Sequence, residues 1–251
     1  MITLDNNTMK ENDFFLKSLS LKAYSQWKEI KNENLFKKLF FYLASISLIF
    51  IIIDFLSRIM RYIDTDLYSR LGHGFTIDAD KGYAEIFCYI QLIIISLCFC
   101  FCYFRSRSPS YLCLFIIVVI IFLDDSLQIH ENLGSYISDD WIDGFMMPAS
   151  DFGDMIVFGV IGFFLVSLLV VGLAISDLKR RAIAALFLVM LILLGFFAVG
   201  MDVLHSIILK MNINYGTGYL FTIIEDGGEM IVISLICSTA LTTLTKLEVI
   251  P

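Results

Sequence analysis

The sequence predicts an all-α fold, a polytopic membrane bundle of six transmembrane helices preceded by an amphipathic N-terminal helix. Three observations carry this. Of 251 residues, 58% are hydrophobic and 17% charged. The mean hydropathy is +0.81. The apolar residues fall in runs of about twenty, the length that crosses a bilayer as a helix. The formal net charge of -7 says little about partners, because basic and acidic residues are segregated along the chain. A cleavable signal peptide is not expected, since the first apolar run follows a polar, Lys-rich stretch and is too long for one.

Residues 1–35 read as a cytoplasmic segment and 36–245 as the transmembrane domain. In the first, Leu16, Leu19, Ala23, Trp27 and Ile30 recur at helical spacing, with Lys17, Lys22, Lys28 and Lys31 off the stripe. Such a helix suits the inner lipid surface, a cytoplasmic protein partner or the ends of the other helices. Span one covers about residues 39–59 and places Asp54 one turn from Arg58, a local ion pair. The loop after it holds Asp78-Ala-Asp80-Lys-Gly82, which lacks the third acid and the closing Glu of a calcium loop.

Span two, about 83–104, carries Glu85 in its first turn and ends in a basic turn at Arg105 and Arg107. Span three, about 111–133, contains Phe122-Leu-Asp-Asp-Ser-Leu-Gln-Ile-His-Glu-Asn132. The loop Ser138 to Asp154 has no Lys or Arg and carries Asp139, Asp140, Asp143, Asp151 and Asp154 around Trp141. Span four, about 155–176, ends in Lys179-Arg180-Arg181. Span five, about 182–207, becomes polar late, at Asp202, His205 and Ser206; span six, about 219–241, becomes polar early, at Glu225, Asp226 and Glu229. Cys88, Cys98, Cys100, Cys102, Cys113 and Cys237 all fall inside apolar spans, as packing residues with no pairing expected.

Counting Lys and Arg at the span ends puts both termini in the cytoplasm, with a bacterial inner membrane as the expected location. A rise of about 1.5 Å per residue then brings Asp124 and Asp125, Asp202 and His205, and Glu225 to Glu229 to one level near the outer leaflet, although their spans run in opposite directions. Carboxylates at membrane depth cost from a few to more than ten kcal/mol, roughly, so they are expected to face a shared interior site.

At about 100° per residue, Asp124, Asp125, Gln128, Glu131 and Asn132 share one face of span three while His130 points away with Ser126. His130 joins the others only if the helix ends or distorts before it, which Gly134 allows. Asp202 and His205 have the acid-x-x-His spacing of bundle metal sites. Glu225, Asp226 and Glu229 share a face, with Gly227 and Gly228 opposite for a close neighbour. So many carboxylates require protonation or compensating cations, and Arg58 and Arg61 are the basic residues nearest to help.

These motifs together, Asp-Asp with His-Glu, Asp-x-x-His, and Glu-Asp-Gly-Gly-Glu-Met, resemble a loose group of uncharacterised bacterial multi-pass membrane proteins over about residues 111–235. The resemblance implies no activity. The membrane zinc hydrolases of the alkaline ceramidase and adiponectin-receptor type also draw a Ser, an Asp and histidines from several spans, but this chain has no His-x-x-x-His and takes no residue roles from them.

Two function classes follow. In the first, a metal-dependent hydrolase or transferase acts on a lipid-like substrate from the outer face. Asp124, Asp202, His205, Glu225, Glu229 and His130 would hold a divalent ion such as zinc, iron or manganese, and Glu131 with Asp125 would supply acid–base catalysis. In the second, a homo-oligomeric sensor or a cation or proton pathway serves a stress or phage-defence system. A through-going path needs polar residues in the inner half, where the chain offers mainly Ser and Cys. Direct binding of nucleic acid is not expected, since no basic folded patch accompanies the N-terminal lysines.

Overall fold

The computed structural model describes residues 6–63, 73–138, 148–210 and 215–249, so the expectations placed on Asp139, Asp140, Trp141 and Asp143 lie outside it. Its helices are α1 (Asn6–Asn32), α2 (Asn34–Ile63), α3 (Tyr83–Ser106), α4 (Pro109–Leu127), α5 (Ile129–Ser138), α6 (Ala149–Ala174), α7 (Leu178–Gly195), α8 (Asp202–Lys210) and α9 (Tyr215–Val249). A 3-10 turn at His73–Phe75 precedes α3, and a π turn, Phe196–Met201, joins α7 to α8. No strand occurs among the described residues. Six segments are long and apolar enough to cross a membrane: Asn34–Arg61, Tyr83–Ser106, Pro109–Leu127, Ala149–Ala174, Leu178–Ile208 and Gly218–Leu247. The chain is an integral membrane protein.

The core lies in the half of the bundle nearer the Arg105 and Arg180 turns. There Phe99 meets Phe187 edge-on at 4.7 Å, with Ile95, Tyr111, Leu114, Leu169 and Ile236 buried around them. Helix α9 is the most enclosed span and packs on α2, α3 and α7. Small residues let the helices approach: a Cβ on Gly172 would stand 2.6 Å from the Cys113 sulfur, and Ser47 Oγ lies 3.4 Å from Ser234 Oγ. The turns at this end are tied by hydroxyls, with Ser176 Oγ 3.2 Å from Ser108 Oγ and accepting the Ser110 N–H at 3.1 Å.

Of the three partners expected for the N-terminal helix, the bundle itself provides one. The chain bends at Glu33 between α1 and α2, and α1 packs on α7 and on the end of α9. Ile30 is buried, Trp27 sits edge-on to Phe36 at 5.5 Å, and Lys246 Nζ reaches Glu29 at 2.9 Å and Glu33 at 3.0 Å.

Candidate functional site

At the opposite end of the core the helices separate around a cavity of about 700 Å³. One end of it is acidic. Asp124, Asp125 and Glu131 come from α4 and α5, Asp154 from α6, Asp202 from α8, and Glu225, Asp226 and Glu229 from α9. Glu85 of α3 joins them, held by the Tyr89 hydroxyl and the Lys81 backbone N–H. The other end is apolar, walled by Ile117, Leu165, Leu169, Leu188, Leu191 and Ile233. Polar groups from spans of opposite direction therefore share one chamber, and neither Lys nor Arg lines it among the described residues.

His130 enters this chamber because the third span does not continue as one helix. Gln128 adopts φ 51° and ψ 45°, a left-handed conformation uncommon for a residue other than Gly, and α4 stops at Leu127. The break resets the helical phase. His130 Nδ1 comes to 3.0 Å from Asp124 Oδ2, and the His130 backbone N–H donates to Oδ1 at 3.1 Å. An ionised carboxylate only accepts, so Nδ1 carries the proton of this pair. Gln128 and Asn132, expected on the same face as the acids, instead serve the break: Asn132 Nδ2 donates to the Gln128 carbonyl at 2.6 Å, and Gln128 Nε2 to Glu131 at 3.2 Å.

Burial alone would lower the basicity of His130. The Asp124 hydrogen bond and charge outweigh it, with Glu131 and Asp154 adding to them, and the imidazole is held above its ordinary value. Its Nε2 stands 3.8 Å from Glu131 Oε1, and its ring lies 4.0 Å from that of Phe158. Gly134, expected to permit a distortion near His130, has a different role. It meets Gly153 of α6 backbone to backbone, and a Cβ on either would collide with the opposite chain. That contact brings Asp154 beside α5.

A second imidazole–carboxylate pair stands on the other side. His205 Nδ1 lies 3.0 Å from Glu225 Oε2, with the Phe221 ring stacked at 6.3 Å. The π turn before α8 inserts extra chain into the fifth span and sets which face Asp202 and His205 present. Phe197 of that turn fills the space left by Gly228, while Gly227 faces Ile51 of α2, so the two glycines admit different neighbours. Ser206 donates to Asp151 and ties α8 to the start of α6.

Arg58 does not reach the chamber to offset its acids. Its Nε donates to Asp54 Oδ1 at 3.0 Å, its Nη2 stands 2.8 Å from Asp78 Oδ2, and its guanidinium lies 4.8 Å from the Tyr219 ring centre. Asp54 is fully buried and also accepts the Ile77 N–H at 3.3 Å. Burial would raise the Asp78 carboxyl, but the Arg58 hydrogen bond and charge prevail and hold it below its ordinary value. The clamp fixes the segment from Thr76 to Asp80, which roofs the chamber.

The chain matches one family model over residues 48–243, from the first span to the end of the sixth. It belongs to the family described as Domain of unknown function (DUF8692). The match leaves out α1. No curated protein and no solved structure shows significant similarity to the chain.

Among the described residues, no three His, Cys, Asp or Glu side chains are grouped so as to hold a metal ion. The six residues expected as ligands line one chamber, and both imidazole Nδ1 atoms are engaged by carboxylates. The sequence reading did not find Phe158, the Thr76 to Asp80 roof or the apolar end. The signal available for the last was Gly159-Val-Ile-Gly162, whose glycines sit on a span with open space where side chains would be.

Proposed function

We propose that this protein is a hydrolase or transferase acting on a lipid-like substrate at the outer-leaflet level of a bacterial inner membrane, with both termini in the cytoplasm. One observation carries the reading: a single chamber holds two imidazole–carboxylate pairs at one end and an apolar pocket at the other. Such a shape takes a polar reacting group and the chain attached to it.

In this reading Glu131, about half exposed, is the base that takes a proton from water or an acceptor hydroxyl, with Asp125 as the neighbouring carboxylate. The freed oxygen attacks the electrophilic carbon of the substrate. His130, whose protonated form Asp124 favours, gives its Nε2 proton to the leaving group. The proton on Glu131 then passes across the 3.8 Å gap to His130 and restores both. His205, oriented by Glu225, and Asp202 position the polar group from the far wall. The donor types suit zinc, iron or manganese, but among the described residues no three of them are grouped to hold an ion.

A pathway across the membrane has weaker support. The hydroxyls of the inner half are spent within their own helices: Ser234 donates to Met230 O, Ser238 to Ser234 O and Thr242 to Ser238 O, each at 2.8 Å.

The test is to incubate the purified protein with vesicles of total lipid extract from its host and follow products by mass spectrometry. Growth of a product ion with wild type, falling on the order of a hundredfold or more in Glu131→Gln and His130→Asn, is the expected result. Unchanged lipid profiles with wild type would count against the reading.

A further inference from the structure

Helices α6 and α7 flank one side of the chamber. Helices α6 and α7 are joined near the cytoplasmic turn, where Arg181 Nη2 donates to the carbonyls of Ala174 at 2.9 Å and Ser176 at 2.8 Å. At the far end Ser206 of α8, beyond the π turn that follows α7, donates to Asp151 of α6. Between these ties Gly162 of α6 and Gly195 of α7 both line the chamber, and a Cβ on either would meet nothing within 4 Å. Val166 and Ile192 line the chamber and keep 45% and 60% of their surface uncovered by protein. Each lies one helical turn or less from its helix's open glycine. By length and composition this face of the bundle is in the bilayer, so it faces lipid chains, not water.

The acidic end constrains what enters. A head group would meet Asp124, Asp125, Glu131, Asp154, Asp202 and Glu225, against His130 as the one cationic partner and no Lys or Arg in the lining among the described residues. Like charges at close quarters in a medium of low dielectric repel strongly, and a cation is attracted by the same field. Asp154 Oδ1 is enclosed against Gly134 without a hydrogen-bond partner among the described residues, which leaves its other oxygen as the one that can face the chamber. The lining of α6 runs from Asp154 at the acidic end to Leu169, fifteen residues and so about 22 Å, room for a polar head and one alkyl chain together.

We infer that the chamber takes a single-chain amphiphile with a cationic, amine-bearing head, entering from the bilayer through the window between Gly162 and Gly195. This rests on the proposed lipid-like substrate and narrows it to one class of head group. The amine donates to the carboxylates, and the chain lies along Leu165, Leu169 and Leu188.

The experiment uses the full chain in phosphatidylcholine nanodiscs and an alkylamine carrying a photoreactive diazirine near its chain end. Labelled peptides are located by mass spectrometry, and hexadecylamine, hexadecyl phosphate and monopalmitoylglycerol compete. Labelling within α6 and α7 is expected, displaced by hexadecylamine at concentrations about tenfold lower than by the phosphate or the glyceride. Gly162→Phe and Gly195→Phe should each cut labelling several-fold, while Gly159→Phe, on the same helix with open space but outside the lining, should leave it unchanged. Should either glycine variant fail to fold, Ile192→Trp obstructs the same window.

Equal or better competition by the phosphate or the glyceride would overturn the charge assignment while leaving a lipid-binding chamber in place. Full labelling in the window variants would overturn the route. No labelling of the chamber helices that any of the three competitors displaces would remove the lipid-like substrate itself.

Discussion

His130 and Asp124 are six residues apart in sequence and 3.0 Å apart in space, because the helix between them ends at a left-handed Gln128. Had α4 run on, the two side chains would point to different faces and one of the two imidazole–carboxylate pairs would not exist. The pairing therefore depends on a backbone conformation at a residue that touches neither partner through its side chain.

Gln128→Ile should destabilise the protein by about 1–3 kcal/mol, because a β-branched side chain tolerates positive φ poorly. Gln128→Gly, which adopts this conformation without steric cost, should be close to neutral. Thermal unfolding in detergent, followed by circular dichroism, reads both. Equal loss in the two variants would mean that the break is not held by the conformation of this residue.

The His130–Asp124 pair also gives a pH dependence of known sign. A histidine held above its unfolded value, about 6.5, contributes stability that is fully present below that pH and is lost as pH rises through the folded value. Wild type should thus lose more Tm between pH 5.5 and pH 8.5 than His130→Asn does. A difference of the opposite sign between the two proteins would contradict the pairing.

The close contact of α5 with α6 admits no side chain. Gly153→Ala and Gly134→Ala should each cost about 1–3 kcal/mol through overpacking. Gly159→Ala, on the same helix with open space around it, should be neutral or stabilise by about 0.5–1 kcal/mol. Refolded fraction after graded denaturant is a sufficient measurement. A tolerant Gly153 would show that the helices stand farther apart.

Much of this architecture was legible in the sequence. Runs of about twenty apolar residues mark the six spans because a bilayer demands that length. The late acids of span five and the early acids of span six point to one level by simple counting. The break at Gln128 was not legible, since neither Gly nor Pro stands there and the sequence Ser126-Leu-Gln-Ile129 continues a helix well. Nor was the π turn, whose extra residue is set by Phe197 filling the space at Gly228, a contact between spans. The stripe of Trp27 and Ile30 showed that α1 has an apolar face, but only packing shows that α7 and the end of α9 cover it.

Removing Arg58 should be severe. Arg58→Met leaves Asp54 buried beside Ile77 without its cation, and breaking a buried pair this way costs about 3–5 kcal/mol. Asp54→Asn combined with Arg58→Met should recover part of that loss, since the carboxylate left unpaired is then the half-exposed Asp78 and not the buried Asp54. A double-mutant cycle on thermal stability checks this, and purely additive effects would show that the two side chains do not interact.

The central claim is that α6 and α7 stand apart over a chamber that is acidic at one end and open to lipid at its side. A density map of the full chain in nanodiscs of native lipid tests it most directly. Elongated density running from between Gly162 and Gly195 toward Asp124 and Asp202 is the expected result. Val166 packed against Ile192 with the two helices in continuous contact, and no space between them, would contradict it.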